Sequence, residues 1–309
     1  MNISERFLGC IIGGAIGDAY GSTFENVVKE DNSDLYYPFG KPEEQTPKWQ
    51  ITDDTQLTLA TCEVIYENST LDIKSFADKY LYYFKSKRIT GIGSSTLKAM
   101  QELEAGGHWS LVGRKGEYAA GNGAAMRISP LAFDARISRD TIKSICNITH
   151  QNDEAYIGAL CVVIAIKSIL CGDWTGDENL FQLIIDQIPD TRVRDRLIHI
   201  NDLNIDLQKV RELGNDGYVV NSIPLAISYA SKVNELGIKE MYNQIINLGG
   251  DTDTNCSIAG QIAGTLIGFK NIPNDLIQKL KTIKEYDWII STVYNFIKSK
   301  NWDYDFENI

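Results

Sequence analysis

Proline is scarce in this 309-residue chain, with seven in all, and no Ser/Gly-rich or single-charge tract interrupts it. Without such tracts the sequence offers no linker, no internal repeat and no low-complexity segment. Positive charge is also short: 30 Lys and Arg stand against 41 Asp and Glu, for a net charge of -11 and a sequence pI near 4.8. That balance opposes a sequence-independent hold on nucleic acid phosphates, which needs a basic surface. Six cysteines occur at Cys10, Cys62, Cys146, Cys161, Cys171 and Cys256, none in a C-x-x-C pair and most within apolar runs. They read as buried thiols in a reducing compartment, so a disulfide frame or zinc site is not expected. By a count of strictly apolar residues, no run approaches the ~18 of a membrane span. The stretch from Phe7 to Gly17 has only Arg6 as a basic lead and runs into Asp18, so a core helix is expected there in place of a signal peptide. A cytoplasmic protein with neither membrane nor nucleic acid as main partner is the expectation.

What is present is helical periodicity. Leu57, Thr61, Val64 and Ile65 share a face, Ile157, Leu160, Cys161, Ile164 and Ile169 mark a second helix, and Ile283 to Ile297 a third. Strand alternation is rare, and 43% hydrophobic content suffices for a sizeable core. The spacing predicts an all-α fold, a single compact multi-helix domain over residues 1–309. The exception is Asn26 to Gln50, polar and holding Pro38, Pro42 and Pro47, a candidate flap.

Two acidic clusters stand far apart, Thr52-Asp53-Asp54-Thr55 and Asp251-Thr252-Asp253-Thr254, each ahead of an apolar helical run. Thr and Asp are preferred N-caps, but one cap needs one side-chain oxygen, and each cluster supplies four such residues. Were the two helix starts to meet, Asp53, Asp54, Asp251 and Asp253 would crowd together, and carboxylates that close do not all stay ionised without a counter-cation. Carboxylate and hydroxyl oxygens are hard ligands that suit Mg²⁺, Mn²⁺ or Ca²⁺, and four carboxylates can hold two divalent ions. Gly249 and Gly250 would let the backbone approach closely. Elsewhere, Gly121-Asn122-Gly123 forms a glycine turn entering a helix, able to offer backbone N–H groups to phosphate oxygens. Arg127 could add charge to that turn or pair with a structural carboxylate.

In this order along the chain, residues 9–25 (G-C-I-I-G-G-A-I-G-D-A-Y-G-S-T-F-E), T-D-D-T, G-N-G-A-A-M-R (121–127), T-H-Q-N (149–152), G-Y-V-V-N-S (217–222) and G-G-D-T-D-T-N followed by I-A-G-Q-I-A-G-T-L-I-G resemble the ADP-ribosylglycohydrolases. That all-α family includes the dinitrogenase-reductase-activating glycohydrolase, and the resemblance spans residues 5 to about 270. It implies that Thr52, Asp53, Asp54, Asp251, Asp253 and Thr254 hold a pair of Mg²⁺ or Mn²⁺ ions, with Glu25 beside them as a movable carboxylate. It also implies that Gly121, Asn122 and Gly123 receive pyrophosphate and ribose, that His150 contacts ADP-ribose, and that Tyr218 stacks on the adenine. Two positions depart from many relatives, with Gly91 and Asn221 standing where an acid is common.

The implied reaction removes ADP-ribose from a modified protein side chain, arginine-linked being favoured, by cleaving the glycosidic bond at the distal ribose. Such cleavage passes through an oxocarbenium-like state and needs an activated water and help for the leaving group. Divalent ions lower the pKa of bound water, and Glu25 and Asp54 are the candidate catalytic carboxylates. A metal-dependent phosphohydrolase of phosphorylated nucleosides and a non-catalytic ADP-ribose-binding or structural relative are the alternatives.

Overall fold

The first helix and one near the far end of the chain touch backbone to backbone, and this contact organises the molecule. In the computed structural model, which describes residues 1–25, 48–177, 179–203 and 207–304, the helix Ile3–Gly21 packs antiparallel along the helix Thr252–Ile267. Gly9, Gly13, Gly17 and Gly21 fall on one face at four-residue spacing. A Cβ at Gly13 would stand 2.4 Å from the Gly260 carbonyl oxygen, and one at Gly17 2.2 Å from that of Cys256, so only glycine permits the approach. Tyr242 closes the seam by donating its hydroxyl to the Gly13 carbonyl at 2.7 Å.

The expected helical architecture is observed: fifteen α-helices carry most of the described residues. The only sheet among them is a parallel pair of two-residue strands, Arg114–Lys115 beside His150–Gln151. Buried apolar side chains from Phe7 to Ile297 join in one core cluster. The helix Asp53–Glu67 begins where expected and buries Leu57, Thr61, Val64 and Ile65.

The reading that no run approaches a membrane span needs correction. The helix Asp153–Cys171, 19 residues with a mean hydropathy of 1.9 over its best window, is long and apolar enough to cross one. Gly158, Lys167 and Ser168 interrupt a strict apolar count but hardly lower an average, and 72% of that window is buried inside the protein. Its apolarity is spent on the core. Of the flap expected over Asn26 to Gln50, residues 26–47 lie outside the described residues.

Candidate active site

Because the Ile3–Gly21 and Thr252–Ile267 helices run antiparallel, the end of one lies at the start of the other. Gly21 meets the backbone of Thr252 and Asp253, and the chain then turns through Ser22 to Glu25. The helix Asp53–Glu67 is brought to the same place by Asp18, a residue that the sequence marks only as the end of an apolar stretch. Fully buried, the Asp18 carboxylate accepts from the backbone N–H of Thr52 (3.0 Å) and Thr55 (3.0 Å) and from their hydroxyls (2.8 and 2.5 Å). It is an N-cap supplied from another helix, taking up donors that a helix start leaves without partners.

A cavity of about 510 Å³ opens where these elements converge. Glu25, Asp53, Asp54, Gly121, Asn122, Gly123, His150, Asp251, Asp253 and Thr254 all line it. Thr52 and Tyr218 do not line it. The Thr52 hydroxyl faces Asp18 and accepts from the Asp54 N–H at 3.4 Å. Tyr218 bridges to Gly121 through the backbone, and its hydroxyl accepts from Arg192 at 3.3 Å. Its backbone therefore supports the glycine turn, while the far end of its ring is tied to Arg192. Asn122 connects turn and acid cluster, donating its side-chain amide to Asp251 at 2.7 Å.

The cluster has no cation of its own. None of the ion pairs among the described residues involves Asp18, Asp53, Asp54, Asp251 or Asp253. Burial, and then repulsion from Asp253, Asp18, Asp53 and Asp251, holds the Asp54 carboxyl well above the ordinary carboxylate range. Asp253 is raised by burial and then by its closeness to Asp251. Asp53 is raised to about 7 by burial, against a lowering contribution from the Gly93 N–H. Asp54 Oδ1 is buried without a hydrogen-bond partner, while Oδ2 accepts from the Thr254 hydroxyl at 3.2 Å. An unpartnered buried carboxylate oxygen among hydroxyls and other carboxylates fits a hard divalent cation in kind. Among the described residues no group of three or more His, Cys, Asp or Glu side chains is drawn together tightly enough to cage one. The carboxylates ring the cavity; they do not clench at a point.

The glycine turn and His150 bring no charge of their own to the cavity. His150, 3% exposed, is pushed down to about 3 by burial, then by Arg127 and Arg114, so its ring is uncharged at neutral pH. Arg127 is fully buried and does not line the cavity; of the two roles anticipated from the sequence it adds charge from behind, acting on His150 and Asp53, and it has no carboxylate ion-pair partner among the described residues. It donates to the Gly123 carbonyl (2.9 Å) and the Thr149 hydroxyl (2.6 Å) and lies over the Tyr80 ring, while its Nε has no hydrogen-bond partner among the described residues.

Three further features escape a reading of the sequence. Asp216 and Gly217 line the cavity, and Asn215 clamps the Gly249-Gly250 turn by donating to the carbonyls of Leu248 and Gly249 (both 2.9 Å) and accepting from the Asp251 N–H (3.0 Å). Gly250 has φ +77° with the Asn215 carbonyl against it, which explains glycine there. The departures also find reasons. Gly91 has φ +75° and lies against Thr52, a backbone state that disfavours an acid, and Asn221 donates to Asp216 at 2.9 Å, holding at the cavity an acid from five residues earlier. The Asn215, Gly250 and Gly91 contacts depend on distant segments, for which the local pattern carries no signal.

Known proteins resemble the chain in sequence and in fold. The chain is 26% identical to ADP-ribosylhydrolase ARH3 of Gallus gallus, over 91% of this chain and 90% of that one. It is 27% identical to ADP-ribosylarginine hydrolase Tri1 of Serratia proteamaculans, over 89% of this chain and 75% of the other. A solved ADP-ribosylglycohydrolase-related protein complex superposes with a TM-score of 0.66 at 22% identity, covering 96% of this chain and 98% of that one, and so shares the fold. The ADP-ribosylglycohydrolase profile matches residues 1–303, further in both directions than the motifs alone reach, and with the cavity they frame this establishes that the chain belongs to the ADP-ribosylglycohydrolase family, enzymes that hydrolyse glycosidic bonds.

Proposed function

We propose that the enzyme removes ADP-ribose from modified protein side chains, arginine-linked ones in preference, with the help of two divalent cations, Mg²⁺ or Mn²⁺. The observation that carries this reading is one cavity lined by two unlike sets of groups: buried carboxylates with no ion-pair partner among the described residues, and a glycine turn beside a neutral histidine. The name of the Serratia relative supports arginine as the attachment point. Thr52, Asp53, Asp54, Asp251, Asp253 and Thr254 are the residues to hold the cations, which when bound would supply Lewis acidity toward ribose hydroxyls and water.

The chain's own residues divide the remaining work. Gly121, Asn122 and Gly123 receive the diphosphate and ribose against backbone, where any side chain on Gly123 would strike the His150 ring at 2.9 Å. His150 orients the ligand, Tyr218 steadies the turn through its backbone bridge to Gly121, and its ring is the proposed partner of the adenine. Glu25, exposed at the rim, moves the proton between water and the leaving side chain, with Asp54 the second carboxylate. The contiguous core supports one domain over residues 1–309, and six free cysteines, one of them exposed, support a reducing, cytoplasmic setting.

The test is product identity. Incubated with arginine-linked and serine-linked ADP-ribosyl protein, with and without Mg²⁺ or Mn²⁺, the protein should release free ADP-ribose, fastest from arginine and only with cation. Release of a nucleoside monophosphate would transfer the site to the phosphohydrolase alternative, and turnover at full rate in chelator would remove the cations from the mechanism.

A further inference from the structure

A guanidinium only donates hydrogen bonds, and this settles the direction of a short relay behind the glycine turn. Arg127 Nη2 donates to Thr149 Oγ1 at 2.6 Å, and that hydroxyl lies 2.7 Å from His150 Nδ1. Thr149 is fully buried, and among the described residues its hydroxyl has no polar neighbour in hydrogen-bond range except these two. Its single proton therefore has one acceptor available, His150 Nδ1. The reverse arrangement, with Nδ1 donating, would leave a buried hydroxyl proton without a partner. A neutral imidazole that accepts at Nδ1 carries its proton on Nε2.

Nε2 takes part in none of the hydrogen bonds among the described residues. It faces the backbone of the turn, where a Cβ on Gly121 would come within 3.2 Å of it, and His150 lines the cavity. The same guanidinium also fixes that turn through the Gly123 carbonyl at 2.9 Å. We propose that Arg127 and Thr149 are positioning residues that hold His150 as its Nε2–H tautomer, so that the ring offers a fixed donor to an anionic oxygen lodged at Gly121–Gly123. The identity of that oxygen as part of ADP-ribose rests on the function proposed above; the tautomer does not.

The tautomer is read directly by long-range ¹⁵N–¹H correlation on ¹⁵N-histidine-labelled full-length protein. The chain has three histidines, so His150→Gln assigns the signal. The wild type without ligand should show the Nε2–H pattern at neutral pH. Thr149→Val keeps the shape while removing the relay, and it should mix the tautomers and weaken ADP-ribose binding roughly 10-fold. Thr149→Ser should restore both. An Nδ1–H ring in the wild type overturns the proposal whether or not the valine variant folds. An unchanged tautomer in a folded Thr149→Val, or a mixed one with unaltered ADP-ribose affinity, overturns it as well. A wild-type ring held as Nε2–H in a protein that binds no ADP-ribose would sustain the relay and reject the ligand assignment alone.

Discussion

Asp134 and Asp54 are both aspartates buried within the same core, and the protein treats them oppositely. Asp134 is 2% exposed, yet against the raising effect of burial its hydrogen bonds from Arg136 (2.5 Å) and Lys300 (2.7 Å) hold it below the usual carboxylate range. Asp54 is 1% exposed, has other carboxylates for neighbours and is held far above that range. At Asp134 the fold supplies a cation from the chain; at the cavity none of the ion pairs among the described residues involves the carboxylates, which is where the proposed cations would act.

The comparison breaks most visibly in turnover. Asp54→Ala or Asp253→Ala should lower hydrolysis on the order of 10³-fold or more, since each removes one of the carboxylates proposed to hold the cations. In chelator the same variants should melt no lower than wild type, because a repelling carboxylate has gone. A marked drop in melting temperature in chelator would mean that these acids serve structure as Asp134 does.

A smaller effect is expected at Glu25, the exposed acid at the same rim. Glu25→Gln should retain ADP-ribose affinity and lose roughly 10²-fold in turnover, the scale of a general acid–base group. Equal loss of affinity and turnover would move proton handling to Asp54.

At the structural acid the signs reverse. Asp134→Asn should leave turnover near wild type while costing on the order of 2–4 kcal/mol in stability, because Lys300 and Arg136 lose their partner. Chemical denaturation with a parallel activity assay measures both. A variant as stable as wild type would show that this ion pair contributes little.

The gentlest probe is pH. Asp53 has its folded pKa raised to about 7 and Asp253 is raised as well, so their contribution to stability is full below the unfolded value of about 4 and fades as pH rises through the folded values. His150 has the opposite sign: depressed to about 3, its contribution is present above about 6.5 and is lost as pH falls. Cation-free protein should therefore lose melting temperature by a few degrees between about pH 6.5 and 7.5, above the His150 window and below the range near 8.5 in which the buried thiols, also raised by burial, begin to act with the same sign. Mg²⁺ or Mn²⁺ should flatten that slope, and Asp134→Asn should leave it unchanged. A flat slope without cation would mean that the cluster is already compensated.

The sequence alone determined what is local. The helix starts at Asp53 and Thr252, the apolar faces of the long helices and the Gly121–Gly123 turn follow from caps and periodicity within a few residues, and the motifs in order identified the family. What the tertiary structure decided is which distant pieces meet. The four-residue spacing of Gly9, Gly13, Gly17 and Gly21 is present in the chain, but that it receives the backbone of Gly260 and Gly264 is a fact of packing. Asp18 as the cap of a helix that starts 35 residues later, Arg127 behind His150, and Asn215 under the Gly250 turn belong to the same class. Their physical reason is common: a side chain's chemistry is written in its residue type, but its partner is chosen by the close approach of backbones far apart along the chain. Here the bare glycine faces of two helices permit that approach, and it brings the second acidic cluster to the end of the first helix, where Asp18 holds the first cluster against it at one cavity.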